Sequence, residues 1–181
     1  ISLRGIGRAM DMTAPALYRY YPTRDDLITA LIVDGFNGLA DALEAADVAL
    51  AGQSLPEHLF GLLVAYRGWA IEHRVDFQLV YGNPIPGYVA PREVTVPAVV
   101  RTFVPIVRLM ETLLQSGDLA PQSPYDVIPP AIEKHEQNLI AEGGYPIHPL
   151  AYHLTMIVWT QVHGTIMLEM YEHLGPNVGD V

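Results

Sequence analysis

The stretch SLRGIGRAMDMTAPALYRYYPTRDDL, residues Ser2–Leu27, decides how this chain is read. It holds four arginines, three tyrosines and two prolines in a protein whose net charge is −10. Ser2 suits an N-cap, because its hydroxyl can accept from the free amides of the next turn. Leu3, Ile6 and Met10 then share one helical face, and Arg4 and Arg8 share another, so Leu3 to about Met10 reads as a short amphipathic helix. Gly7 inside it points to close approach by another backbone, since glycine otherwise costs about 1 kcal/mol in a helix interior. Asp11-Met12 reads as a tight connection, and aspartate tolerates the left-handed conformation that such turns need. Thr13 is a second N-cap and Pro15 suits a first turn. The second helix, about Ala14 to Tyr20, presents the small residues Ala14 and Ala16 and then Tyr18, Arg19 and Tyr20, with Leu17 and Tyr21 turned inward. Pro22 ends it, and Thr23 caps a third helix with Leu27, Leu31 and Phe36 on its buried side.

Two short helices joined by a tight turn, the second beginning with small residues, form a helix-turn-helix pattern. Small residues let the helix enter a major groove, and Tyr, Thr and Arg can bond phosphates and base edges. An ordinary helical hairpin with surface arginines has the same spacing. The charge distribution permits the first reading. Residues 1–25 hold four arginines against two aspartates, whereas the remainder holds six basic and eighteen acidic residues. A basic end on an acidic body permits a directed contact with phosphate and disfavours nonspecific polyanion binding. The 181-residue chain lacks cysteine, which excludes disulfides and thiolate chemistry and fits a cytoplasmic protein. No apolar run approaches a membrane span.

The opening segment resembles the DNA-binding domain of the TetR family of transcriptional regulators. The family pattern S-L-R-x-I-A-x-x-L-G-M-S-x-P-A-L-Y-R-Y-F-x-S-R-D-D-L aligns with it over about 25 residues, and A-L-Y-R-Y-Y-P-T-R-D-D-L is the specific part. Gly7 stands where the family has alanine, and Asp11 where it has a turn glycine. The family also has a helix before this segment, so the sequence is expected to lack part of its N-terminus. The resemblance implies that Thr13, Ala14, Pro15 and Ala16 face the bases. It implies that Tyr18, Arg19 and Tyr20 contact bases or phosphates, and that Arg24 grips a phosphate.

Beyond Arg24 the helical pattern continues to about Ala49, and Ala51 to Pro56 is a break. Further helices are expected from about Pro56 to Arg74 and from Pro97 to Ser116, the latter kinked at Pro105. Val75 to Tyr81 reads as a short helix or turn, and Tyr125 to about Glu142 as mostly helical. Gly82 to Pro97, with four prolines and two glycines, reads as a long connection that either covers a pocket or crosses the surface. The last helix, Pro149 to about Leu174, is apolar nearly all round, with one stripe of Leu150, Leu154, Ile157 and Val158. One of its faces is expected to meet the chain's own core and another a partner subunit. With the Pro97–Ser116 helix it would form a four-helix bundle at a two-fold axis. VWTQVHG, Val158–Gly164, resembles the W-x-x-x-H-G signature of one group of TetR-family C-terminal domains, and the C-terminus is expected to be shortened as well.

Catalytic signatures are absent from the sequence: there is no Gly-x-Ser-x-Gly elbow and no phosphate-binding glycine loop. His148 and His153 are five apart, a poor spacing for a shared metal on a helix, so neither a metal nor a cofactor is expected. His163 is expected to pack beside Trp159 and make a buried hydrogen bond. Trp69, Phe77, Tyr81, Phe103, Met110, Tyr152, Met156 and Trp159 form an aromatic and methionine set that is either plain core or the lining of a cavity. The family resemblance favours the cavity, for a small, mostly apolar or aromatic ligand.

The expected protein is all-α, with a helix-turn-helix domain and connecting helix over residues 1–48 and a ligand-binding and dimerisation domain over 49–181. It is expected to be a homodimeric regulator, a repressor that leaves a palindromic double-stranded operator when a small-molecule effector binds, and not an enzyme. The alternative is a helical dimeric binding or scaffold protein that has lost DNA binding.

Overall fold

The chain opens with the two short helices and the tight turn that the sequence leads one to expect. Helix α1 (Leu3–Ala9) is followed by a turn in which Asp11 has φ 52°, the left-handed geometry anticipated for it. Thr13 precedes α2 (Ala14–Tyr20), its Oγ1 accepting from the Ala16 amide at 3.4 Å. The computed structural model describes residues 3–11, 13–143, 146–175 and 179. The expectations resting on Ser2, on Met12 and on the side chains of Leu3, Arg4, Ala14 and Leu17 lie outside the described residues.

Helix α3 (Arg24–Ala49) starts on a reciprocal cap. Thr23 Oγ1 accepts from the Asp26 amide at 3.1 Å, and Asp26 Oδ2 accepts from the Thr23 amide at 2.9 Å. Both bonds satisfy amides that have no partner within the helix. A Thr23→Ala substitution is expected to lower stability by about 1 kcal/mol, read as a lower urea midpoint at unchanged slope. Ile6 and Tyr21 pack on Leu27, joining α1 and the end of α2 to the long helix, and Gly7 is buried.

The body follows as α4 (Leu55–Glu72), α5 (Arg74–Tyr81), α6 (Arg92–Ser116), α7 (Pro130–Gly143) and α8 (Pro149–Met170). Helix α3 lies against α4, α5 and α6, while α8 packs on α4 and α6, and α7 packs on α8. Leu39, Leu43, Tyr66, Trp69, Ala70, Phe77, Ile166 and Met170 form the central core. Met110, Ala151 and Leu154 fill the α6–α8 contact. Glycine is required where α5 stops: a Cβ on Gly82 would lie 2.2 Å from the Gln78 carbonyl oxygen. None of the described helices is long and apolar enough to cross a membrane.

Three boundaries differ from the sequence reading. Helix α6 begins at Arg92, not Pro97, because a proline near a helix start removes few bonds, and the helix runs on through Pro105. Helix α7 begins at Pro130 rather than near Tyr125, since Pro129 and Pro130 disfavour helix in the residues before them. Helix α8 stops at Met170, and Glu172 has φ 61°. The connection left between α5 and α6 lies on the first half of α3. Ile85 and Tyr88 pack against the cluster of Ile28, Ile32 and Phe36, and the Tyr88 hydroxyl is 2.9 Å from Thr29 Oγ1.

Candidate nucleic-acid interface and internal cleft

At the N-terminal end, α2 carries its polar aromatics outward. Tyr18 is 43% exposed and Tyr20 71%, and Thr13, Pro15 and Arg19 are exposed beside them, with Ala16 half-buried. Arg24 begins α3, where its half-buried side chain holds a buried Nε that meets no acceptor. That places a guanidinium beside the positive end of a 26-residue helix, with Asp25 and Asp26 in the same turn. The arrangement is suited to an anion approaching α2 and the start of α3 together.

Helix α3 is tied to α6 by a series of ion pairs that the sequence reading did not identify. Arg101 reaches Glu44 through Nε at 2.8 Å and through Nη2 at 2.6 Å, and Asp41 at 2.6 Å. Arg108, two helical turns on, reaches Asp47 at 2.7 Å, and His58 Nε2 lies 2.9 Å from the same carboxylate. The signal was present in the sequence: basic residues seven apart on one helix face acidic residues three apart on the other.

A polar aromatic group lies inside the body. The Tyr66 hydroxyl is 2.8 Å from His163 Nδ1 and accepts from Trp159 Nε1 at 3.3 Å. His163 lies tilted against Trp159 with centroids 5.1 Å apart and also meets Phe77 and Tyr81. Burial pushes the His163 pKa down, which favours the neutral ring, with Nδ1 accepting from Tyr66. Because its folded pKa lies below its unfolded one, this ring favours the folded state less as pH falls below about 6.5. The Tyr81 hydroxyl points toward Tyr66 and Thr102 but reaches hydrogen-bond geometry with no group, and burial pushes its pKa up to about 12.

A cleft of about 420 Å³ runs between α6, α8 and the segment leading into α8. Val99, Val100, Phe103, Val104 and Val107 form one wall, and Ile147, Tyr152 and Met156 the other. The two charged groups on it are already engaged, Arg108 by Asp47 and Glu111 by the His148 amide, which donates to it at 3.1 Å. Of the eight aromatic and methionine residues singled out in the sequence, Phe103, Tyr152 and Met156 line this cleft. Tyr81 and Trp159, again with Phe103, border a second space of about 10 Å³ beside Tyr66 and Thr102. Trp69, Phe77 and Met110 are buried core. The sequence did not mark the valines of α6 as a cleft wall, because periodicity does not say how far apart two helices sit.

The histidines have structural neighbours. His148 caps α8, its Nδ1 accepting from the Leu150 amide at 3.2 Å, and His153 meets the buried Glu136 at 3.0 Å. Among the described residues no group of three or more His, Asp or Glu side chains is arranged to hold a metal.

Comparison with known proteins places this geometry. A family model for the tetracycline repressor-like C-terminal domain matches residues 59–181. The HTH-type transcriptional regulators Rv1816 of Mycobacterium tuberculosis and Mb1846 of Mycobacterium bovis are each 30% identical over 178 residues, covering 98% of this chain and 75% of theirs. The crystal structure of SCO4313 superposes with a TM-score of 0.72 at 30% identity, over 99% of this chain and 78% of that one. A protein from Rhodococcus sp. RHA1 gives a TM-score of 0.56 at 27% identity, over 91% and 84%.

Proposed function

Because this chain belongs to the TetR family of transcriptional regulators, we propose that it is a homodimeric repressor that leaves a palindromic operator when a small, mostly apolar molecule enters its body. The observation that carries this reading is the tie between α3 and α6. Helix α3 runs from the Thr23 cap, beside α2, to Ala49 in the body, and Arg101 and Arg108 fasten its second half to the helix that walls the cleft.

Residues 1–48 would then be the DNA-reading part and residues 49–181 the ligand-binding and dimerising part. In the reading part Thr13, Ala14, Pro15 and Ala16 would approach the bases. Tyr18, Arg19 and Tyr20 would contact bases or phosphates, and Arg24 a phosphate. The exposure of Tyr18 and Tyr20 supports this, as does the unpartnered Nε of Arg24. On α8 and α7 the large apolar side chains left exposed are Leu168, Ile132 and Leu139, and a partner subunit would meet them. An effector filling the cleft would press on α6, and the Arg101 and Arg108 contacts would pass that displacement to α3. Coupling requires only that the effector bind the two arrangements with different affinity.

The test is selection from random DNA duplexes by the full-length protein at one moderate salt concentration, because phosphate contacts weaken steeply with ionic strength. The expected result is a palindrome whose half-site centres are about 34–36 Å apart. A folded dimer that enriches no sequence would overturn the reading in favour of a helical binding protein without DNA affinity.

A further inference from the structure

The cleft and the space beside the polar aromatic group share one lining residue, Phe103. Phe103 lines the 420 Å³ cleft on one side and the 10 Å³ space on the other, and it stands edge-on to Trp159 with centroids 5.4 Å apart. The inner space has room for about one water. On its wall is the Tyr81 hydroxyl, buried and without a partner. Leaving a buried hydroxyl unpaired costs free energy, so a group that pairs with it gains more than an ordinary hydrogen bond provides. The neighbouring hydroxyls are disposed differently. Tyr66 is occupied by His163 and Trp159, and Thr102 donates to the Val99 carbonyl at 2.7 Å, keeping its lone pairs for an incoming donor. The inner wall carries no charged side chain.

We propose that these two spaces are one ligand site, opened by rotation of Phe103. It would take an uncharged molecule with a flat apolar body and a single terminal hydroxyl or carbonyl that pairs with Tyr81 and Thr102. The body of the ligand lies between the valines of α6 and Tyr152 and Met156, where burial of apolar surface drives binding. The head enters the inner space, accepting from the Tyr81 hydroxyl and, if it is a hydroxyl, donating to Thr102. A carboxylate head is excluded, because no cation faces it there and a buried unpaired charge is far costlier than a neutral polar group. This rests on the effector reading of the cleft and adds to it the chemistry of the ligand.

The probes are 4-phenylphenol and 4-methylbiphenyl, which match in shape and differ in the head, with biphenyl-4-carboxylate as the charged counterpart. Binding to the full-length protein is measured by calorimetry. The phenol is expected to bind at least about tenfold tighter than the methyl compound, although it is the less apolar of the two. Tyr81→Phe should erase that preference and leave binding of 4-methylbiphenyl unchanged. Its fold should be intact, since the hydroxyl removed has no partner. Val104→Trp, which fills the outer cleft, should weaken both compounds. Equal binding of the two, with both weakened by Val104→Trp, overturns the two-part site and leaves the cleft as the effector site. So does a phenol preference that survives Tyr81→Phe, or a carboxylate that binds as well as the phenol. Failure of both compounds to bind, or binding that Val104→Trp does not touch, overturns the cleft reading as well.

Discussion

Replacing Tyr18 by alanine is expected to raise the operator Kd at least about a hundredfold while leaving a folded dimer. A hydrogen bond to a charged group such as a phosphate contributes about 1.5–3 kcal/mol, and a two-fold dimer loses two at once. The side chain is 43% exposed on a seven-residue helix, so truncation opens no cavity, and alanine favours helix more than tyrosine does. Fluorescence anisotropy with the selected operator reads the affinity, and circular dichroism with sedimentation checks the fold and the dimer. Arg24→Ala is the companion variant. It should weaken all duplexes together and make the dependence of log K on log salt shallower by about one for each phosphate that is no longer neutralised. If Tyr18→Ala binds within about threefold of wild type, α2 does not face DNA.

The largest loss of stability is expected from Phe77→Ala. Phe77 is fully buried, with its ring 5.1 Å from that of Tyr81, 5.3 Å from that of His163 and 6.0 Å from that of Tyr66. Removing such a side chain forfeits its transfer free energy and leaves a cavity that the surrounding helices cannot fill by a small shift, for a cost of about 3–5 kcal/mol. Phe77→Leu, which keeps most of the volume, should cost clearly less. Equilibrium unfolding in urea measures both, as a fall in midpoint at constant slope. A loss below about 1.5 kcal/mol for the alanine variant would mean that α5 is not held by this ring. The same residue separates two kinds of effect, since it lies far in sequence from Tyr18 and its core cluster is built from residues of the body.

Local chemistry explains what could be read without coordinates. The N-terminal helices were legible because each boundary is written in one or two residues: Thr13 and Thr23 as caps, Asp11 at a positive φ, Pro22 as a stop. The start of α6 was not, because Pro97 looks like a boundary yet tolerates helix on both sides so near the first turn. Composition named Phe103, Tyr152 and Met156, which meet at the cleft, but also Trp69, Phe77 and Met110, which fill the core. An apolar side chain at helical spacing carries the same sequence signal whether the neighbouring helix is in contact or stands off by the width of a ligand. The Arg101 and Arg108 ion pairs join residues about sixty apart, so the sequence holds their spacing on each helix while the packing of α6 on α3 is what pairs them.

Helix α3 is unbroken over 26 residues, which at about 1.5 Å per residue makes a rod about 39 Å long. A rod of that length is a lever. A tilt of about 5° at the end held by Arg101 and Arg108 sweeps the Thr23 end through about 3 Å. In the proposed two-fold pair the arms would swing in opposite senses, so the gap between the two α2 ends would change by about twice that. Under the proposed function, angstrom-scale adjustments beside the cleft would be multiplied in this way, and an effector too small to touch α2 would need only to turn the fulcrum.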